Sequence, residues 1–376
     1  MNQAKQYVIA VDIQTTSPMH ITAIEKGAYD PATQRLARYD GKGIGCSLTR
    51  TQSLAHSALV QENGNVYTPL VPVIPASTIA AKLRRAAADQ IANSLVQRQL
   101  QISPDAYNVL TSGMANTELK ADDKLPEVLR MARKDAFLSL FGGTSFAMSA
   151  HSVIAEGWPI VGSTLSSLMT PPIGDVQPFG SLSEMTAVLP IVRKNDVADM
   201  QGKHLQDVVG FDNLVAYAQT EGVNRSESKA KKAAKEEGKK TDLRTLNAVE
   251  VVKTGVAFAL RIEVTAFDAA QLGLMLLAMQ EVLREGQFGG KAARGFGRFI
   301  ATGTRLYEVD PNTRVKTVIS TVIEGKDTGY AFADNDVVNA SVVAAQDYVD
   351  AISPQLIEAF TRADAKTLKQ MYKEAA

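Results

Sequence analysis

The chain has 376 residues, 45% of them hydrophobic and 21% charged, a balance that excludes a disordered or low-complexity protein. Its 40 basic residues are matched by 40 acidic ones, so any nucleic-acid partner has to meet cations gathered on one face. The single cysteine, Cys46, excludes an intramolecular disulfide framework. The N-terminal MNQAKQYVIAVDIQ lacks signal-peptide order, and the longest apolar stretch, around Leu272–Met279, is too short to span a bilayer. A soluble, cytoplasmic protein without a membrane partner is expected.

Tyr7–Thr16 alternates with Tyr7, Ile9, Val11 and Ile13 on one side and Asp12 and Gln14 on the other, which predicts a half-buried strand ended by Pro18. Glu25–Thr51 is polar and glycine-rich and reads as a long excursion. Ser77 or Thr78 is placed to cap a helix in which Ile79, Leu83 and Ala87 share one face and Lys82 and Arg85 lie off it. Pro126 opens a second predicted helix, with Leu129, Ala132, Ala136 and Leu140 at helical spacing, that stops at Gly142-Gly143. Ser149–Gly180 is turn-rich and predicts loops with short strands.

Lys203–Arg244 is a polar insertion whose centre, NRSESKAKKAAKEEGKKTDLR, carries eight basic and four acidic residues and almost no large apolar side chain, so it cannot pack a core by itself. A solvated helix and a mobile basic arm both fit it. Gly255–Thr265 returns to strict alternation, with Val256, Phe258, Leu260, Ile262 and Val264 on one face. Asp268 caps a helix running to about Arg284, and a short strand follows near Phe299–Thr302. The last forty residues read as helix, broken near Pro354, with Tyr348, Ile352, Leu356 and Phe360 at spacing four. Strand, helix and returning strand at each end predict an α+β chain with a split βαβ, ferredoxin-like core.

The most distinctive segment is Gly286–Phe299, GQFGGKAARGFGRF. Gly286, Gly289, Gly290, Gly295 and Gly297 are interleaved with Lys291, Arg294 and Arg298 and with Phe288 and Phe296. Glycine permits close approach to the backbone, the cations suit phosphate, and phenylalanine offers a stacking surface. A dinucleotide fingerprint needs its glycines after a strand and before a helix, the reverse of the order here. A phosphate loop needs Ser or Thr after its lysine, and Lys291 is followed by Ala292. A tight helix-to-strand turn is the plain structural alternative.

Four segments together resemble the RAMP superfamily of CRISPR-associated proteins and, within it, the Cas-seven-type backbone subunits of class 1 effector complexes. Thr15–Thr22 (TTSPMHIT) resembles the end of the family's first strand. Val71–Arg84 (VPVIPASTIAAKLR) is similar to its IPGSSLKGxLR segment, with Ala76 in place of the usual glycine. Asp135–Gly143 (DAFLSLFGG) resembles its LFG helix end, and Gly289–Phe299 (GGKAARGFGRF) its GGxxxRGxGRV loop. The motifs anchor most of 15–302.

The resemblance implies a modified RRM or ferredoxin-like palm with inserted finger and thumb elements and C-terminal helices. Its segments would be a first palm strand at 1–24, a finger at 25–70, palm helices and loops at 71–190, a basic thumb at 191–254, palm strand, helix and glycine loop at 255–304, and helices at 305–376. It implies a partner guide RNA (crRNA), a complementary DNA or RNA target, copies of the chain stacked head to tail, and other CRISPR effector subunits. No cofactor is implied. RNA-binding positions would be Ser77, Lys82, Arg84, Arg85, Arg193, Lys194, Gly289, Gly290, Lys291, Arg294, Gly295, Phe296 and Arg298. Lys229, Lys231, Lys232, Lys239 and Lys240 would be thumb contacts.

Type III members resemble the chain most in motif wording, and several cut target RNA with an aspartate before an arginine; here that stretch reads Gly45-Cys46-Ser47-Leu48-Thr49-Arg50, without a carboxylate. Asp40 is nearby but out of register and is the runner-up catalytic residue. The wording SLTRT and PASTIAAKLR leans toward the type IV backbone subunit, which implies guide binding without cleavage.

No metal site is expected, since His20, His56, His151 and His204 share no ligand spacing with one another or with Cys46. His20 reads as a satisfied structural histidine, His56 and His151 as surface residues, and Trp158 as core. Asp122-Asp123 reads as a solvated loop.

Overall fold

The computed structural model describes residues 4–30, 35–37, 46–55, 60–62, 65–67, 70–114, 125–143, 148–161, 172–173, 176, 178–180, 184–193, 212–213, 216, 245–320, 323–326 and 329–374. The strands are β1 (Lys5–Thr15), β2 (Thr22–Asp30), β3 (Arg35–Ala37), β4 (Cys46–Thr51), β5 (Ser53–Ala55), β6 (Val60–Glu62), β7 (Asn65–Tyr67), β8 (Leu70–Pro72), β9 (Ser152–Ile154), β10 (Trp158–Pro159), β11 (Thr186–Arg193), β12 (Thr245–Val252), β13 (Ala257–Ala266), β14 (Phe299–Val309), β15 (Lys316–Ser320), β16 (Ile323–Lys326) and β17 (Gly329–Phe332). The helices are α1 (Ala76–Gln97), α2 (Pro104–Ser112), α3 (Leu125–Ala132), α4 (Ala136–Phe141), α5 (Ala269–Glu285), α6 (Asp336–Ala351), α7 (Pro354–Thr361) and α8 (Ala365–Glu374).

The chain divides into two compact units. The larger comprises 1–22, 51–187 and 251–376, and the smaller 23–50 and 188–250. The larger unit is an α+β fold. Its main sheet runs β10-β13-β1-β14-β15, with β9 also pairing with β13, and every pairing is antiparallel. Taking β1, α1, β9/β10, β13, α5 and β14 in chain order gives βαββαβ with β1 between the third and fourth strands. That is the ferredoxin-like arrangement predicted from element order. The smaller unit holds the sheet β11-β12-β4-β2-β3, in which β12 runs parallel to β4. Within it Arg50 pairs with Glu250 at 3.3 Å. Cys46 opens β4 and does not lie in a loop.

The core of the larger unit lies between one sheet face and α1 and α5. Ile9, Val11 and Ile13 of β1 and Phe258, Leu260 and Ile262 of β13 meet Ile79 and Leu83 of α1 and Leu272 and Met275 of α5. The C-terminal helices form a third layer, with α6 packed on α5. Gly273 makes that approach possible, because a Cβ there would stand 1.8 Å from the carbonyl oxygen of Ser341.

Several local expectations are corrected. β1 is buried on both faces, since Val8, Ala10 and Asp12 are as buried as Ile9. Ile160, Val176, Ala257 and Ala259 form a second small cluster. Asp12, fully buried, accepts from the amide of Ile173 at 2.6 Å and pairs with Arg261 at 3.1 Å. The helix α1 begins on Pro75 without a side-chain cap, so neither Ser77 nor Thr78 takes that role. The helix read from Pro126 to Leu140 is two helices. Asp135 interrupts it and caps α4 by accepting from Leu138 N–H at 2.8 Å. The strand read at Phe299–Thr302 extends to Val309. The α5 cap at Asp268 is as predicted, completed as a capping box by Gln271.

Candidate nucleic-acid interface

The glycine-rich loop joins α5 to β14, and its sequence dictates its path. Gly286 ends α5 in the left-handed conformation. Phe288 then turns inward, fully buried, and stacks on Phe299 with ring centroids 4.8 Å apart. It anchors the loop and is not the exposed stacking surface expected of it. The chain next passes beneath the segment that follows β1. Gly290 N–H donates to His20 O at 2.9 Å, Gly297 N–H to Pro18 O at 2.8 Å, and Arg298 N–H to Ser17 Oγ at 2.9 Å. A Cβ on Gly289 would stand 2.3 Å from His20 O, and one on Gly297 would stand 1.8 Å from Phe288 O, so backbone contact excludes side chains at both.

Between these anchor points the loop projects outward as a short 3-10 turn, Ala292–Arg294, bounded by Lys291 and Gly295 in left-handed conformations. Lys291, Arg294 and Arg298 are exposed and Phe296 is half-buried. Among the described residues none of the three cationic side chains makes an ion pair or a hydrogen bond. The result is three unpartnered cations on a backbone pinned at both ends, a geometry suited to a polyanion.

The positions expected on α1 separate. Ser77 and Arg85 are exposed, and Lys82 forms an ion pair with Glu285, the residue before Gly286. This pair places the first half of α1 beside the root of the loop. Arg84 is buried and faces the other way. Its guanidinium donates to Leu110 O at 2.7 Å, to Phe141 O and Gly142 O at 3.0 Å each, and to Val109 O. It closes the C-terminal ends of α2 and α4 with four of its five N–H donors and is buried, which corrects its place among the binding residues.

Arg193 ends β11. Lys194, Lys229, Lys231, Lys232, Lys239, Lys240 and Asp40 lie outside the described residues, as do His56, His204, Asp122 and Asp123. His20 is buried and bonds through Nε2 to Thr22 Oγ1 at 3.2 Å, as a structural histidine should. His151 is only partly exposed; burial, with Arg133 nearby, lowers its pKa. Trp158 packs against the core. Two features went unread in the sequence. The Asp12–Arg261 pair had a signal, a charge in the middle of an apolar strand. Ser17, whose hydroxyl holds the loop, had none.

Among the described residues no group of three or more His, Cys, Asp or Glu is placed to hold a metal, and no helix is long and apolar enough to cross a membrane. No family model matches the sequence, and no curated protein matches it. Among solved structures, the chain is similar to one in a type IV-B CRISPR complex at 12% identity and a TM-score of 0.39, covering 83% of this chain and 93% of that one.

Proposed function

We propose that this chain is a guide-RNA-binding backbone subunit of a class 1 CRISPR effector ribonucleoprotein of the type IV kind. Copies oligomerise along one RNA and present it for pairing without cutting it. The observation that carries the reading is the display of Lys291, Arg294 and Arg298, exposed and without a partner among the described residues, on a loop clamped to Ser17–His20. Such a loop neutralises phosphates without reading bases, which leaves a guide's Watson–Crick edges free. The four-segment sequence resemblance supports the same assignment, and the carboxylate-free stretch Gly45–Arg50 supports binding without cleavage.

The test is the nucleic acid carried by protein purified without nuclease from cells that express a CRISPR array. RNA of uniform guide length should be recovered from the native chain. It should be lost from Lys291→Ala/Arg294→Ala/Arg298→Ala with unfolding unchanged. A native preparation free of RNA, with no affinity for it at low salt, overturns the proposal.

A further inference from the structure

The outer face of the main sheet, away from α1 and α5, is used unevenly. Near the glycine loop it is closed by the Asp12–Ile173 bond and by Val176 on Ala257 and Ala259. Toward the other end of β1 it is open at its flanks, while Val8 at the centre stays buried. There the pairing register aligns Val153, Glu263, Val8, Tyr307 and Val318 in one row across five strands. Val153 is 62% and Val318 54% exposed at the flanks of that row. Arg305 is exposed in the row on one side, and Lys316 in the row on the other.

Arg314 is held beside them by the β14–β15 turn. Asp310 Oδ1 accepts the amides of Asn312 and Thr313 there, Arg314 has a φ of 61°, and its guanidinium donates to Gln6 Oε1 at 2.8 Å. Among the described residues none of Arg305, Arg314 and Lys316 pairs with a carboxylate. Val8, Val153, His151, Glu263, Arg314 and Lys316 line a depression of 250 Å³.

An apolar floor, cations on one rim and an adjacent aromatic are the elements of a single-strand platform. A simple anion would not need the valines, and an acidic protein segment would meet Glu263 with nothing to offer it. An exocyclic base amine does suit Glu263, which can only accept when ionised. We propose that this face is a second contact for single-stranded nucleic acid. One base sits against Val153 with its amino group on Glu263, its phosphate meets Arg314 and Lys316, and the strand continues over Tyr307 and Arg305. Val8 and Ser17 are nine residues apart along β1 and its exit, so the face lies about 30 Å from the loop and does not depend on the reading of that loop.

The experiment uses the full chain stripped of nucleic acid in high salt, with fluorescence anisotropy on labelled oligocytidine and oligouridine RNA. Arg314→Glu/Lys316→Glu should weaken binding by roughly tenfold and lower the salt slope by about 2. Lys366→Glu, a charge reversal on α8 away from this face, should bind as the native chain does. Glu263→Gln should narrow the preference for cytidine over uridine. Photocrosslinks should fall within Gly303–Val318 as well as on the loop. Unchanged affinity and slope in the double variant, with crosslinks confined to Gly286–Arg298, overturn the proposal. So does competition by free CMP in a protein that binds no strand. Lys291→Glu/Arg294→Glu separates the two sites: if only this pair abolishes binding the outer face fails, and if only the Arg314/Lys316 pair does the loop reading fails.

Discussion

The guanidinium of Arg84 lies 5.2 Å from the centre of the Phe137 ring while its nitrogens bond four carbonyl oxygens at the ends of α2 and α4. One side chain therefore satisfies the helix ends that Gly113 and Gly142 leave open. Gly113 and Gly143 lie against it, each so close that a Cβ would stand 3.1 Å from guanidinium atoms. Burial lowers its pKa to about 10, so the group stays charged at neutral pH. Arg84→Met should lower unfolding free energy by about 3 kcal/mol or more, because the carbonyls lose a buried charged donor. Arg84→Lys should recover little of it, since an ammonium cannot span the same fork. Urea unfolding measures both.

Gly297→Ala and Gly295→Ala should part company. Both positions have left-handed backbones, but a Cβ at Gly297 meets Phe288 O whereas one at Gly295 meets nothing within 4 Å. The Gly295 change should cost about 1 kcal/mol of stability with RNA retention intact. The Gly297 change should displace the loop from Pro18 and reduce the RNA that copurifies. Melting curves and extracted RNA, read together, check the pair.

Asp135 gives stability a pH dependence. It is fully buried at the cap of α4, accepts from Tyr348 Oη at 2.9 Å, and burial raises its pKa to about 6. The folded chain therefore binds this proton more tightly than the unfolded chain does. Its contribution is full below pH 4 and is lost as pH rises through 6, a change on the order of 3 kcal/mol. Asp135→Asn keeps a capping oxygen and should flatten that part of the profile between pH 4 and 7. An equally steep profile in the variant would assign it to other groups.

Removing one loop cation at a time should change binding uniformly across RNA sequences. Arg298→Ala should lower the salt slope by about 1, as loss of a single phosphate contact does. Lys82→Ala should change it less, because Lys82 is held by Glu285. A sequence-dependent loss for Arg298→Ala would contradict a backbone-gripping role.

Legibility in the sequence followed how local the cause was. The inward face of β13 and the Asp268 cap were visible because alternation and capping act over a few residues. The α2 helix was missed although its signal was present: Ser103 caps it through Ala106 N–H and Pro104 occupies its first turn. Arg84 resembled its surface neighbours Lys82 and Arg85, because its partners come from Val109–Leu110 and Phe141–Gly142, distant in the chain. Phe288 and Phe296 were indistinguishable by composition. Only packing against Phe299 sends one into the core and leaves the other half-exposed. The glycine loop was legible in content, but its attachment to Ser17–His20 was not.

The two excursions from the larger unit each leave and return through a backbone bond. Gln52 N–H donates to Ile21 O at 2.8 Å around the first, and Lys253 N–H to Met185 O at 2.8 Å around the second. Each is thus fastened at its neck, and its length is nearly decoupled from the sheet that carries it. Doubling either one adds only about 0.6 kcal/mol of closure entropy. The two pieces share one sheet, with β2, β3 and β4 from the first and β11 and β12 from the second, so these necks are natural splice points at which both can be exchanged together for another module without disturbing one register of the main sheet.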